Sequence, residues 1–231
     1  MISDNVDRIR GRIAQACQRS GRSPSEVTLI AVSKTFPWGD IAEAAQAGVT
    51  DVGENYVQEL LAKREQLAAV PLRWHFIGHL QSNKVRYIAA WIEMVHAVDS
   101  GSLAREIDRQ AGRAGRIIDI LVEVNTTGEQ SKFGVLPQEA RNLVQSMDGL
   151  THLRIAGLMT IGPFLPDPEG SRPMFRQLRQ LKEELARLRQ PNVSMHHLSM
   201  GMTGDFEVAI EEGATCVRIG TAIFGSRTGR A

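Results

Sequence analysis

Lys34 closes an apolar run, TLIAVSK over 28–34, and by two-residue alternation it shares the side-chain face of Ile30 and Val32. A lysine at the inner rim of a buried sheet loses proton affinity as it loses water. It then becomes a nucleophilic amine able to form a Schiff base. Left in solvent, the same residue is a snorkelling cation and nothing more. Arg218 stands in the middle of a second run, CVRIG over 216–220, where a structural strand would carry a branched aliphatic. A buried guanidinium keeps its charge and therefore demands an acceptor, either a ligand or an acid such as Glu54 or Glu123. Two glycine–hydroxyl turns complete the set: Leu198-Ser199-Met200-Gly201-Met202-Thr203-Gly204 ahead of a helix, and Gly220-Thr221 with Ser226 beyond. Such turns let backbone N–H groups approach an anion, and the hydroxyls of Ser199 and Thr221 would complete a phosphate cradle.

These residues need elements to position them, and the patterning supplies an alternating series. Short, nearly continuous apolar runs predict strands at 28–34, 49–54, 74–78, 94–99, 117–125, 153–161, 195–200 and 216–220. Helical periodicity predicts helices at about 39–47, 56–69, 82–90, 101–113, 137–147, 171–189 and 204–212. Ahead of them, Ile2, Val6, Ile9, Ile13 and Cys17 recur at spacings of three and four, with Gly21 as a stop. Continuous rather than alternating runs are the signature of parallel strands buried on both faces. Eight strand–helix units in series predict an α/β fold, a single (β/α)8 barrel over residues 1–231 with the first helix as an extra cap. A doubly wound open sheet is the competitor, ranked lower because no GxGxxG follows the first strand.

In such a barrel the strand C-termini and the loops after them build the site, and the eighth strand neighbours the first. Lys34 and Arg218 then meet at one mouth, with the glycine turns of the seventh and eighth strands beside them. An amine, a fixed cation and a phosphate cradle together suit pyridoxal phosphate (PLP), with Arg218 facing the pyridine nitrogen. A donor-only arginine there disfavours ring protonation and weakens the electron sink, against transaminase-like chemistry. Histidines 75, 79, 196 and 197 could suggest a metal hydrolase. Neighbours 196 and 197 point to opposite faces, however, and no carboxylate-rich cluster accompanies them, so no metal site is expected. A cofactor-free Schiff-base aldolase on Lys34 remains open from the residues alone.

The formal charge of +1 gives no field for nucleic acid or an anionic membrane. Two isolated cysteines, a charged N-terminus without a signal core and no bilayer-length apolar run read as a cytoplasmic protein.

The chain resembles the YggS/PROSC family of PLP homeostasis proteins. The matches are AVSKTFP at 31–37, GENYVQEL at 53–60, WHFIGHLQSNK at 74–84, VNTTGEQSKFGV at 124–135, GLMTI at 157–161, LSMGMTGDFEVAI at 198–210 and VRIGTAIFG at 217–225. That covers essentially the whole chain, with one departure, Thr203 where the family usually has serine. The resemblance implies a fold-type III PLP barrel like the N-terminal domain of alanine racemase. It implies a Schiff base on Lys34, the pyridine contact at Arg218 and phosphate binding by Ser199, Gly220 and Thr221. Asn55 would lie beside the cofactor, and His79, Met159 and Met202 would line the pocket. The two tyrosines, Tyr56 and Tyr87, sit at no strand end that would face the cofactor squarely. The chain ends soon after the eighth strand, without the β domain that supplies such racemases with a second proton-transfer group. A non-catalytic carrier is therefore expected, with a weak racemase as the alternative. Its partners would be PLP, PLP-dependent apoenzymes or free amino acids, and it would act as a monomer.

Overall fold

Eight parallel strands close into a barrel in chain order, β1 pairing with both β2 and β8 in the computed structural model. The structure describes residues 1–129, 132–163 and 165–226. Gln130 and Ser131 of the VNTTGEQSKFGV stretch, Phe164 of the loop after the sixth strand, and the chain end at 227–231 lie outside the described residues. The strands are β1 Thr28–Val32, β2 Asp51–Glu54, β3 Arg73–Phe76, β4 Met94–Val98, β5 Ile118–Glu123, β6 Leu153–Met159, β7 Val193–Ser199 and β8 Cys216–Ile219. The helices are α1 Ile2–Arg19, α2 Trp38–Gln46, α3 Val57–Gln66, α4 Gly101–Arg113, α5 Pro137–Gln145, α6 Arg172–Leu185, α7 Phe206–Glu211 and α8 Thr221–Phe224. All eight expected strands form. The stretch expected as a helix at 82–90 is instead a 3-10 helix, Ser82–Tyr87.

Two apolar regions hold these elements. The larger lies between the barrel wall and the helices and includes Ile41, Leu60, Ile107, Val144, Phe175 and Ile210. The smaller sits inside the barrel, formed by Met94, Ala97, Leu121, Ala156 and Met159. The lumen also holds a buried polar set, Asp51, His75, His96, Ser199 and Arg218, beside Ile30.

Helix α1 is not a lid over one end. It packs against α2, α7 and α8, burying Val6, Ile9, Ile13, Ala16 and Cys17 in the outer layer across the seam between the first and last strands. With only one turn, α8 is too short to cover that seam, so α1 takes the place. Gly21 ends it as expected. At φ +68° it lets Arg22 N–H reach Cys17 O (2.9 Å) and its own N–H reach Gln18 O (3.3 Å), a left-handed helix stop.

Candidate functional site

Strand β1 stops two residues before Lys34, which lies in the turn that follows and is half-buried. That turn is held from behind by an ionic array. Lys63 of α3, itself buried, donates to Ser33 O (2.8 Å), Glu54 Oε1 (2.6 Å) and Glu59 Oε2 (2.8 Å). Ser33 Oγ donates to the same Glu54 oxygen at 2.5 Å. Glu59 in turn accepts the Thr35 N–H at 2.9 Å. Thr35 has φ +69°, a left-handed conformation that a β-branched residue adopts only under constraint. Burial raises the Glu54 carboxyl above its usual range despite Lys63 and Ser33. For Glu59 burial acts in the same sense, but the hydrogen bonds from Lys63 and Thr35 outweigh it and the carboxyl titrates low. Phe36 completes the grip, its ring 5.0 Å from that of Phe224 in α8.

Opposite this array, Arg218 pairs in register with Ile30 of β1 and lies buried in the lumen. Its NH1 donates to Ser199 Oγ at 2.6 Å and its NH2 to Thr160 O at 2.8 Å. Glu54, one of the acids expected to neutralise it, belongs to Lys63 instead. Glu123 acts on it only through the longer-range field. Burial lowers the guanidinium to about 10, so it stays protonated at neutral pH.

Lys34 and Arg218 line one cavity of about 300 Å3, together with Asn55, Met202, Gly220 and Thr221. Six of the nine residues expected at the cofactor are thus brought together. Met202 is placed by its N–H on the buried Asp205 carboxylate (2.8 Å). Gly201 before it has φ +91°, and a Cβ there would fall 2.6 Å from that of Ala209. Helix α8 begins its own bonding with Ile223 N–H to Gly220 O, so the amides of Thr221 and Ala222 precede its ladder. Asn55 Oδ1 is a buried acceptor without a hydrogen-bond partner among the described residues.

Three expected residues lie elsewhere. His79 is exposed and stacks on Phe133 at 4.3 Å between ring centroids, lining an adjoining cavity of about 460 Å3. That cavity shares Asn55, Ile77 and Ile161 with the first. Met159 is wholly buried in the lumen cluster. Ser199 is also wholly buried, its hydroxyl held between Arg218 and His96 Nδ1 (2.9 Å) rather than at the glycine turns. Thr203 lines the cavity in its place. Thr203 belongs to the same glycine–hydroxyl turn, but the hydroxyl expected at the phosphate was that of Ser199. Lys63 and His96 are the other omissions. A lysine inside an ordinary amphipathic helix and a histidine inside a strand carry no distinguishing pattern.

Gly78 explains why the GENY and WHFIGH segments meet here, since a Cβ on it would fall 2.5 Å from Asn55 O. Glu123 borders the adjoining cavity and titrates at about 7, raised first by burial and then by Asp99, with Arg218 opposing. Tyr56 lines the same adjoining cavity and is exposed. Among the described residues no cluster of His, Cys, Asp or Glu could hold a metal ion, and no helix is long and apolar enough to cross a membrane. Both cysteines are buried free thiols.

Residues 5–228 match the family described as alanine racemase, N-terminal domain. A pyridoxal phosphate homeostasis protein of Aquifex aeolicus is 46% identical over 224 residues, 97% of each chain. One from Pseudomonas aeruginosa is 43% identical over 230 residues, 98% of this chain and 96% of its own. Among solved structures, PipY of Synechococcus elongatus with PLP bound superposes at TM-score 0.82 with 37% identity, covering 97% of this chain and all (100%) of its own. An alanine racemase of Clostridium difficile shares the fold at TM-score 0.73 and 14% identity, the match spanning 98% of this chain and 58% of that one.

Proposed function

This chain belongs to the pyridoxal phosphate homeostasis proteins, built on the alanine racemase N-terminal domain, and we propose that it binds PLP covalently at Lys34 and serves as a carrier. The observation that carries the reading is the meeting of Lys34, Arg218 and the Gly220–Thr221 turn around one cavity. The residues fit the group. The cavity offers an amine, a permanent donor, unladdered backbone amides and, in Asn55 Oδ1, an orphaned acceptor. When bound, PLP supplies a reactive aldehyde carbon and an electron-withdrawing ring.

Each residue then has a task. Lys34 Nζ holds the cofactor, its turn fixed by Lys63 and Glu59. Arg218 offers N–H only, so a ring nitrogen beside it stays an acceptor and the ring a weak electron sink. Thr203, Thr221 and the first amides of α8 would hold the phosphate. The adjoining cavity, which meets the first at Asn55, Ile77 and Ile161, would give a second amine, from a free amino acid or an apoenzyme lysine, access to the Lys34 side. The two buried thiols suit a reducing cytoplasm. Carriage is supported by the relatives' names, and the polarity of the ring contact weighs against transaminase-like chemistry.

Absorption of the purified protein, borohydride fixation and peptide mapping test this directly. A yellow protein whose adduct maps to Lys34, with Lys34→Ala losing the adduct but keeping residual phosphate-driven binding, is the expected result. A colourless protein that takes up no added PLP would overturn it. Solvent exchange of an amino acid's Cα proton at a turnover rate would replace carrier with racemase.

A further inference from the structure

Ser199, His96, His75 and Asp51 continue from Arg218 as an unbroken line of hydrogen bonds. Arg218 NH1 donates to Ser199 Oγ (2.6 Å), and Ser199 Oγ meets His96 Nδ1 (2.9 Å). His96 Nε2 meets His75 Nδ1 (3.0 Å), and His75 Nε2 meets Asp51 Oδ1 (2.9 Å). The line leaves β8, passes through β7, crosses the lumen to β4 and β3, and ends at the first residue of β2. There Asp51 also accepts from Arg73 Nε (2.8 Å) and NH2 (2.6 Å) at the rim far from Lys34. Every member is buried.

The two ends determine where the protons sit. Arginine is donor-only, so Ser199 must accept from it. The hydroxyl proton then has one remaining neighbour on the line, His96 Nδ1, which must be bare. His96 accordingly carries its proton on Nε2 and donates to His75 Nδ1. His75 in turn carries its proton on Nε2 and donates to Asp51, an acceptor-only carboxylate. Charging either ring would turn His96 Nδ1 into a donor or set two donors face to face, leaving the Ser199 proton without an acceptor. One arrangement satisfies all four links, with both rings neutral and every donor pointing away from the cavity. Burial, first of all, holds the His96 imidazole well below its usual range, in agreement. Asp51 stays ionised because its hydrogen bonds from His75, Arg73 and Thr50 outweigh burial.

We propose that this one-way chain positions Arg218: Ser199, backed by His96, His75 and Asp51, commits one edge of the guanidinium, so that the edge facing the cavity meets the pyridine nitrogen as a fixed, permanently protonated donor. The inference rests on the PLP reading only for what Arg218 faces; the proton arrangement belongs to the empty protein as well. In a low-dielectric lumen such bonds polarise one another, which lets a carboxylate several links away bear on the donor.

Long-range 15N spectra of the histidine rings in protein stripped of PLP test the arrangement. His96 is expected as a neutral Nε2–H tautomer at neutral pH, with His75 presenting a bare Nδ1 toward it. An Nδ1–H tautomer or a cationic ring at His96, or a proton on His75 Nδ1, overturns the chain whether or not PLP binds. His75 does not line the cofactor cavity, so a merely structural role would leave the bound chromophore unmoved. His75→Phe is expected to weaken PLP binding about tenfold, roughly 1.4 kcal/mol, and to shift the pH profile of the absorption band. His75→Gln, which offers an acceptor and a donor in the same sense, is expected to restore both. A folded His75→Phe protein with unchanged affinity and spectrum overturns the positioning role. Failure of wild-type protein to take up PLP at all, with the tautomers as assigned, defeats the functional reading and with it the role toward pyridine, while the proton order survives.

Discussion

Two buried polar arrays flank the cavity, and they are built on opposite principles. Behind Lys34, one ammonium of Lys63 faces two carboxylates, Glu54 and Glu59, within 2.8 Å. Behind Arg218, a cation and an anion stand at the two ends of a line of neutral groups. The first array concentrates charge to clamp backbone, because the atoms it holds are Ser33 O and the strained Thr35 N–H. The second separates charge to fix the direction of protons. The turn that carries Lys34 is thus held by ion pairing, which is costly to break, and Arg218 by hydrogen-bond order, which is cheap to break in stability but, on the proposed reading, not in cofactor chemistry. Removing one partner of a buried pair leaves an uncompensated charge, whereas removing a donor from neutral groups leaves only unsatisfied dipoles.

Lys63→Met gives the largest expected effect. With two carboxylates left unpaired, the folded protein is expected to lose about 3–5 kcal/mol, read as a lower urea midpoint, and the yield of Lys34 adduct to fall with it. An unchanged midpoint would mean that the clamp is ornamental and the contrast false. A second buried acid, outside both arrays, comes next. Glu123 titrates at about 7 in the folded protein against 4.5 for an ordinary glutamate, so between those values the folded state holds a proton that the unfolded chain has lost. Its contribution is therefore fully present below about pH 4.5, declines as pH rises, and is gone above about 7, worth up to roughly 3 kcal/mol. Urea unfolding at pH 5 and pH 8 should show a smaller difference for Glu123→Gln than for wild type. An identical difference would show that this carboxyl ionises normally.

Arg218→Leu probes the other array. The groups it abandons, Ser199 Oγ and Thr160 O, are neutral, so the stability loss is expected near 1–2 kcal/mol, less than for Lys63→Met. PLP affinity and absorption are expected to change far more than stability does. If Arg218→Leu instead unfolds the protein as Lys63→Met does, the lumen charge is structural and the two arrays are alike.

The contrast also explains what could be read in the sequence. Strand runs such as TLIAVSK and CVRIG announce themselves because parallel strands bury both faces, and α1 follows the periodicity of Ile2 through Cys17 to its stop at Gly21. Lys34 and Arg218 stand out as charges at the edges or centre of such runs, and both reach one cavity. Ser82–Tyr87 was legible as helical but not as 3-10, which depends on how tightly the chain must turn under β3. His96 was hidden because its partners lie on other strands. Alternation from Met94 turns it inward, as it lies, but the register shift between Val95 and Val98 brings Ala97 inward too, and nothing in the run says that His96 meets Ser199 and His75. Lys63 was hidden because its partners, Glu54 and Ser33, come from other elements, and nothing in VQELLAKREQ distinguishes it from a solvated lysine. Ser199 was legible as a hydroxyl near glycines, but only the closed lumen shows that it serves Arg218.

The smallest expected effect bears on what the ionic array is for. Thr35 at φ +69° costs of order 1–3 kcal/mol relative to relaxed backbone, and Glu59 holds it there through the amide. Thr35→Gly removes the strain but loosens the unfolded chain by about 0.5–1 kcal/mol, so a net gain near 1 kcal/mol is expected, a rise of about 2–4 °C in Tm. If the clamp exists to keep Lys34 aimed at the cavity, that gain should come with slower covalent capture of PLP, since the turn is then free to sample other conformations. A glycine variant that is more stable and captures PLP as fast as wild type would show that Glu59 and Lys63 merely tolerate the strain. A less stable one would show that the left-handed turn was never strained, leaving Lys63 with charge balance as its whole task.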